Sequence, residues 1–579
     1  MNARARILVV AVVWLTIIFA LALGWRFVIS PMLGAKAATE ELRTEYAELQ
    51  STASQRGVDL PPMPDDISRR EAARLVDEAR TRLTSRSGGT NGGATSGRGA
   101  SGDGSSSASS SGAGLTPVRI ALDSFSGYAI FRSDTFEQRL AERGFRPILV
   151  DDEADYAVRL AGLESGDTPL AVFPIDAMVT AAAERGTLPG SAIMLVDETI
   201  GADAIVAWER GVPDLDALNA PDARFVLTPS SPSETLARVV MNSFDLGQLP
   251  DRPFIAVDGA EAVYERFVAA PRDERRAYAL WEPYVSKALE EPGARILADT
   301  GRLRGFVVDA LVASRDALLR DEPMVRAVVE SYLSALYAIE GSGGGMPAQL
   351  QLDALATGQR LTAEQSARLA AGVQWKNTQE NYVHFGLRSG ALPPLERLVR
   401  RITGVLIATG AIDADPAGGD PSRLVYDRIL AGLQQDGFHP SIGGAGADEP
   451  VRGAISLAAL SDGQWTDLRP VGTLGIERLV FARGTARLTG SAEASLERLA
   501  ERLDAFPQYY ITVRGHALAI GDPEANRRLA RARADAVAAA LTERGVAEVR
   551  VRATSTAPET GGSAAAGRSV SFVVGERPY

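Results

Sequence analysis

This sequence predicts a large α/β part followed by a smaller α+β module behind an apolar leader, and three observations carry the prediction. From Thr116 to about Pro440, apolar β-like runs alternate with amphipathic helical patterns, the signature of helices covering a mostly parallel sheet. From Leu479 to Val574 a shorter strand, helix, strand, helix pattern follows. Ahead of both, Ile7–Trp25 is apolar and uncharged. The 579 residues suffice for several domains, and 45% hydrophobic with 23% charged residues is the composition of ordinary globular protein. A net charge of −12 argues against a nucleic-acid partner. The absence of cysteine excludes disulfides, thiolate metal sites, Cys nucleophiles and a lipid-modified N-terminal Cys. His384, His439 and His516 lie far apart, without metal-ligand spacing.

Along the chain, Arg4 and Arg6 precede the apolar run. At 1.5 Å rise per residue, about nineteen residues come close to the hydrocarbon thickness of about 30 Å, and the arginines favour a cytoplasmic N-terminus. The small-x-small triplet Ala35-Lys36-Ala37 offers a rival reading as a cleavage site, but it lies well beyond the run and Arg26 intervenes. A retained anchor is expected, and either reading sends the remaining chain out of the cytoplasm. Thr39–Arg56 and Ile67–Leu83 are charged, helix-like segments separated by Pro61, Pro62 and Pro64. With no sustained heptad, a solvated spacer is favoured over a coiled-coil stalk. Ser87–Gly114 is nearly all Gly, Ser, Ala and Thr, a flexible coil spanning about 30 Å. The expected division is therefore 1–30 anchor, 31–114 stalk and linker, 115–440 large α/β part, 441–470 linker and 471–579 C-terminal module.

Within the large part, "PVRIALD", "PLAVFPIDAMVTAAAERG" and "ARFVLTPSSPSETLARVVMNSF" each put a strand ahead of a turn or helix. Ligands of such folds collect where strands end and helices begin. Ser124, Ser126 and Tyr128 follow the first strand, with Gly127 permitting close backbone approach. Thr228–Glu234 opens a helix whose free amides and hydroxyls, Ser230 and Ser231 among them, suit an anion. The alternative there is plain capping by Ser230, Ser231 or Ser233, with Glu234 in the first turn. Asp176 begins another helix, as ligand contact or as cap. Trp281 and Glu282 could meet a ligand or pack in the core. Asp197, Asp203 and Asp309 read better as turn or cap residues.

The segments "VRIALDSFSGYAIF", "AGLESGDTPLAVFPIDAMV", "VDETIGADAIVA", "RFVLTPSSPSETL", "ALWEPYVSKALE", "LADTGRLRGFVVDALVAS" and "VQWKNTQENYVHFG" together resemble the type 2 periplasmic solute-binding proteins of the nitrate, sulfonate/taurine and thiamine-pyrimidine group. The resemblance implies two α/β lobes joined by a hinge and closing on a small ligand. It places Ser230 and Ser231 where sulfonate binders hold their donors, Asp176 at a frequent pocket position, and Trp281-Glu282-Pro283-Tyr284 in a characteristic motif. An enzymatic branch of this fold consumes its own histidine with pyridoxal phosphate and iron and needs a Cys-rich motif, which this chain lacks. No Gly-x-Ser-x-Gly elbow with a triad, P-loop or paired-carboxylate site stands out either, so neither catalysis nor a cofactor is expected.

The C-terminal "LVFARGTARLTGSAEASLERLAERL" and "ITVRGHALAIGDPEANRRLARARADAVAAALTERGV" resemble the OmpA-like peptidoglycan-binding domain. That family typically reads Gly-His-Thr-Asp, its Asp acting with a later Arg on the diaminopimelate of the stem peptide. Here Gly515-His516 is followed by Ala517 and Leu518, so Leu518 holds the Asp position, while Asn526, Leu529 and Arg533 keep register. Asn526 and Arg533 are the implied wall-binding residues. An isobutyl group leaves the ligand's ammonium unpaired, so weak peptidoglycan contact is expected unless Asp522 or Glu524 reaches back. Altogether the sequence points to a single-pass inner-membrane protein with its bulk in the periplasm. It would capture a small solute with an anionic or polar head for an ABC-type permease or a sensing partner. The alternative is a structural envelope protein that has lost its ligand and associates with peptidoglycan.

Overall fold

The structure, a computed structural model, describes residues 115–578 except 358–359, 445–448, 454–456, 477–478, 480, 483, 517–520 and 557–568, together with Tyr46 and Gln50. The apolar run Ile7–Trp25, the Gly/Ser-rich stretch and Leu518 lie outside the described residues. Among the described residues no helix is long and apolar enough to cross a membrane.

The first lobe opens with β1 (Thr116–Leu122), β2 (Phe145–Asp151), β3 (Leu170–Pro174) and β4 (Gly190–Thr199). Helices α1 (Asp134–Ala141), α2 (Tyr156–Ser165) and α3 (Ile175–Arg185) connect them. Local chemistry sets the helix ends. Ser133 and Asp155 accept amide bonds at the starts of α1 and α2, and Gly166 at φ 80° closes α2. After β4 the chain leaves for a second sheet of β5 (Asp203–Trp208), β6 (Arg224–Leu227), β7 (Phe254–Ala256), β8 (Arg276–Trp281) and β9 (Ala294–Asp299). Helices α4 (Pro232–Ser243), α5 (Gly259–Ala269) and α6 (Tyr284–Leu289) belong to this lobe. The chain then returns as β10 (Val308–Ser314), continues through the long helix α7 (Glu322–Glu340), and adds β11 (Val373–Trp375) at the sheet edge. The strand orders are β11-β4-β10-β3-β1-β2 and β7-β6-β8-β5-β9.

These two sheets are the two α/β lobes expected. The sheets are mixed, however, and not mostly parallel. β1 pairs β2 and β3 in parallel, but β10 runs antiparallel between β3 and β4, and β5 lies antiparallel between β8 and β9. The reason is topological. A strand that arrives from the other lobe enters its sheet from the opposite end, a reversal that local periodicity does not record. The two connecting segments, residues 200–202 and 300–307, are bonded to each other and their surroundings. The Gly201 amide donates to Thr300 Oγ1 at 2.9 Å, and the Thr199 amide to the Val307 carbonyl at 3.1 Å.

Helix α8 (Leu395–Ala408) packs on both α3 and α4, so one element touches both lobes. The stretch read as a linker is tied down at its start. Thr378 donates its amide to Glu449, Asn377 donates to the Pro450 carbonyl, and Arg452 pairs with Glu380 and Glu340. The C-terminal module is a four-stranded sheet of β12 (Arg469–Thr473), β13 (Tyr510–Gly515), β14 (Val551–Ser555) and β15 (Val570–Glu576), in the order β12-β15-β13-β14. It carries α9 (Gly490–Leu503) and α10 (Pro523–Glu543).

Candidate functional site

Where the lobes face each other, the strand ends bear carboxylates. β1 runs out into Asp123, whose Oδ1 accepts from the Phe125 amide at 2.9 Å, and a 3-10 turn follows at Ser126–Tyr128. Within the same sheet Asp197 of β4 stands directly opposite Asp309 of β10. Pro174 of β3 and Trp375 of β11 complete that row. Residues opposite one another in a ladder point to one face, so two carboxylates share it. They are 1% and 3% exposed. Neither oxygen of Asp197, nor Oδ1 of Asp309, has a hydrogen-bond partner among the described residues. Burial pushes Asp309 well above the usual carboxylate range, and the charges of Asp197 and Asp123 add to it. Burial likewise raises Asp197, with Lys376 opposing.

The neighbouring cations are committed elsewhere. Arg159 donates to Asp123, to Asp152 and to the Val172 carbonyl. Lys376 Nζ stands 2.6 Å from Glu198, which Arg304 also holds at 2.8 Å. Burial alone would raise Glu198, but these two cations hold it well below the usual range.

Across the seam, α4 turns its first hydroxyls onto acids. Ser233 donates to Asp203 at 3.1 Å, and Thr235 donates to Asp176, a bond from one lobe to the other. Burial pushes both carboxyls up to about 6 against these hydrogen bonds.

The structure gathers Tyr128, Asp176 and Trp281 with Asp197, Asp203 and Asp309 but leaves other expected residues apart. Ser124 is exposed and Ser126 half-buried. Ser231 caps α4, accepting from the Glu234 amide and donating to the Thr228 carbonyl at 2.6 Å. Ser230 is exposed at φ 55°, its amide bonded to Glu234. Trp281 pairs with Asp203 across β8 and β5. The Glu282 carboxylate accepts the Ser286 hydroxyl and amide at 2.8 and 3.2 Å, which makes it a local cap. Asp197, Asp203 and Asp309 are neither turn nor cap residues; they lie inside β4, β5 and β10. Sequence reasoning missed Asp123, Arg159, Glu198, Lys376 and Thr235, and weighed Ser233 only as a cap. The available signal was a carboxylate embedded in an apolar strand, as in "VVDALVAS", where burial is costly unless something answers the charge.

In the C-terminal module a Cβ at Gly515 would stand 1.9 Å from the Ala530 carbonyl oxygen, so β13 meets α10 at a distance only glycine allows. Residues 480–569 match the OmpA family. No curated protein matches the chain. Among solved structures, the periplasmic sulfonate-binding protein SsuA of Methylobacillus flagellatus is 12% identical over 56% of this chain and 95% of its own, with a TM-score of 0.42. The aliphatic sulphonate binding protein SsuA of Escherichia coli is 16% identical over 54% and 92%, at 0.41. The peptidoglycan-associated lipoprotein of Burkholderia pseudomallei is 27% identical over 17% and 88%, at 0.16.

Inside the OmpA module, Arg533 is 2% exposed, donates to the Thr485 carbonyl at 3.0 Å and lies over the Phe481 ring. Asn526 is half-buried in the first turns of α10. Asp522 is exposed and caps α10 by accepting the Glu524 amide at 2.9 Å, and Glu524 pairs with Arg527.

Proposed function

We propose that this chain is an extracytoplasmic solute-binding protein, tethered to the inner membrane by Ile7–Trp25, whose two lobes close on one small polar molecule. The observation that carries this reading is the polar seam between the lobes, spanned by the Thr235–Asp176 bond beside the paired connecting segments. A seam serving stability alone would favour apolar side chains, because a buried polar group left unpaired costs about 1–3 kcal/mol. Paired segments of a few residues are also the geometry of a hinge. The solute then passes to an ABC-type permease or is reported to a partner, and the OmpA module adds only weak contact with peptidoglycan. No reaction is assigned to the seam. Native mass spectrometry of the full-length chain in mild detergent tests the reading. A small molecule that co-purifies and is released on partial unfolding is expected. No adduct, together with no thermal response to a broad small-solute screen, would favour a purely structural envelope protein.

A further inference from the structure

We propose that the seam takes its solute by a positively charged group, an organic ammonium or guanidinium, with Asp197 and Asp309 as its anionic partners. This rests on the solute-binding reading above and adds the sign of the ligand, opposite to the anionic head that the Ser230–Ser231 turn suggested.

Five aspartates, Asp123, Asp176, Asp197, Asp203 and Asp309, are buried along the seam. Asp123 is answered by Arg159, and Asp176 and Asp203 each receive a hydroxyl. Lys376 and Arg304 are spent on Glu198. Asp197 is left with neither oxygen bonded, and it stands beside a second carboxylate on the same face of the sheet. Like charges directly opposite in a ladder are destabilising, and a buried carboxylate without a partner is costlier still. Without a ligand the two carboxyls meet these penalties by keeping their protons, and a cation placed between them lets the pair ionise.

Along the seam, an anion finds no comparable place among the described residues. The Ser231 hydroxyl is occupied by a backbone carbonyl and the Ser230 amide by Glu234. Ser233 and Thr235 are turned onto carboxylates, so an anion there would meet negative charge. A metal ion fits poorly too, since among the described residues no three His, Cys, Asp or Glu side chains converge to hold one. Aromatic groups border the same face instead. Trp375 lies opposite Asp197 and donates Nε1 to the Gly127 carbonyl at 2.7 Å, and Phe125 and Tyr128 pack edge to face at 5.3 Å. Such rings favour organic cations over anions. Gly127 belongs to the arrangement, because a Cβ there would approach Asp197 Oδ2 to 2.5 Å and displace the carboxylate.

The test uses the full-length chain in detergent and matched probes: butylammonium, 1,4-diaminobutane and butylguanidinium against butanesulfonate and butyrate, each at millimolar concentration. At least one of the three cations should raise Tm by about 2–5 °C, and neither anion should. Asp197→Asn and Asp309→Asn should each abolish that response while leaving the ligand-free Tm equal to or above wild type, a combination that simple misfolding would not produce. Stabilisation by the anions and not the cations overturns the assigned sign and leaves solute capture standing. No response to any cation also overturns it, and the co-purification experiment then decides separately whether the seam binds a solute. A cation response that survives both Asn variants overturns the role of this carboxylate pair.

Discussion

Asp176 lies where α3 of one lobe meets α4 of the other, and its titration can be worked out from its surroundings. Burial pushes its carboxyl up to about 6, so the folded protein holds that proton more tightly than the unfolded chain does. The sign follows from linkage. The group's contribution is fully present below the unfolded value near 4 and is lost as pH rises through about 6. Asn imitates the protonated acid and can still accept from Thr235. Asp176→Asn should therefore match wild type near pH 4 and exceed it by about 1–3 kcal/mol at pH 8, as read from denaturant melts at the two pH values. An equal effect at both would show that the residue acts through packing. Little of this was legible beforehand. "FPIDAMV" shows an acid at a helix start, but the partner that defines it, Thr235, is 59 positions away.

Helix α4 shows one start for which the sequence offers two tasks, capping and ligand contact. Its start at Ser231-Pro232, with Glu234 in the first turn, follows from capping chemistry, and the structure has that cap. Ser231→Ala should cost about 1 kcal/mol of stability without changing solute affinity, a split measurable by paired melts and titrations. A loss of affinity at constant stability would return Ser231 to the ligand. Helix α10 invites the parallel test. Asp522 already serves its N-cap, so it is poorly placed to replace the carboxylate missing at Leu518. Wild type should stay in the soluble fraction of a sacculus pull-down, Leu518→Asp should gain binding, and Asp522→Ala should weaken α10 without altering retention. Tight wild-type binding that Asp522→Ala removes would establish compensation instead.

On the scale of the whole molecule, the OmpA module is seated against the large domain. The Arg304 amide donates to the Ala505 carbonyl and Gln508 to the Gly301 carbonyl, both at 2.8 Å, in the second connecting segment between the lobes. Arg302 pairs with Asp299 and with Glu576. Phe244 at the end of α4 stacks on Phe506, with ring centroids 6.4 Å apart. Removing Arg302 strands two largely buried carboxylates, a loss on the order of 3–5 kcal/mol for a fully buried pair. Wild type should melt in scanning calorimetry with the two parts coupled, and Arg302→Ala should separate an earlier OmpA transition from the main one. Unchanged coupling in the variant would show that the seat is held by apolar contact.

Periodicity, caps and turn glycines are local properties, and so the sequence by itself determined the α/β alternation, the helix start at the Ser230–Ser233 turn, and the OmpA pattern around Gly515. Strand direction, pairing order and charge balance are not local. Only the tertiary structure decided that β10 returns antiparallel between β3 and β4, which sets Asp309 opposite Asp197 across more than a hundred residues of intervening chain. The same fold commits Arg159, Lys376 and Arg304 to other acids. A carboxylate becomes a site or a spectator according to which charges reach it, and that reach is measured through space.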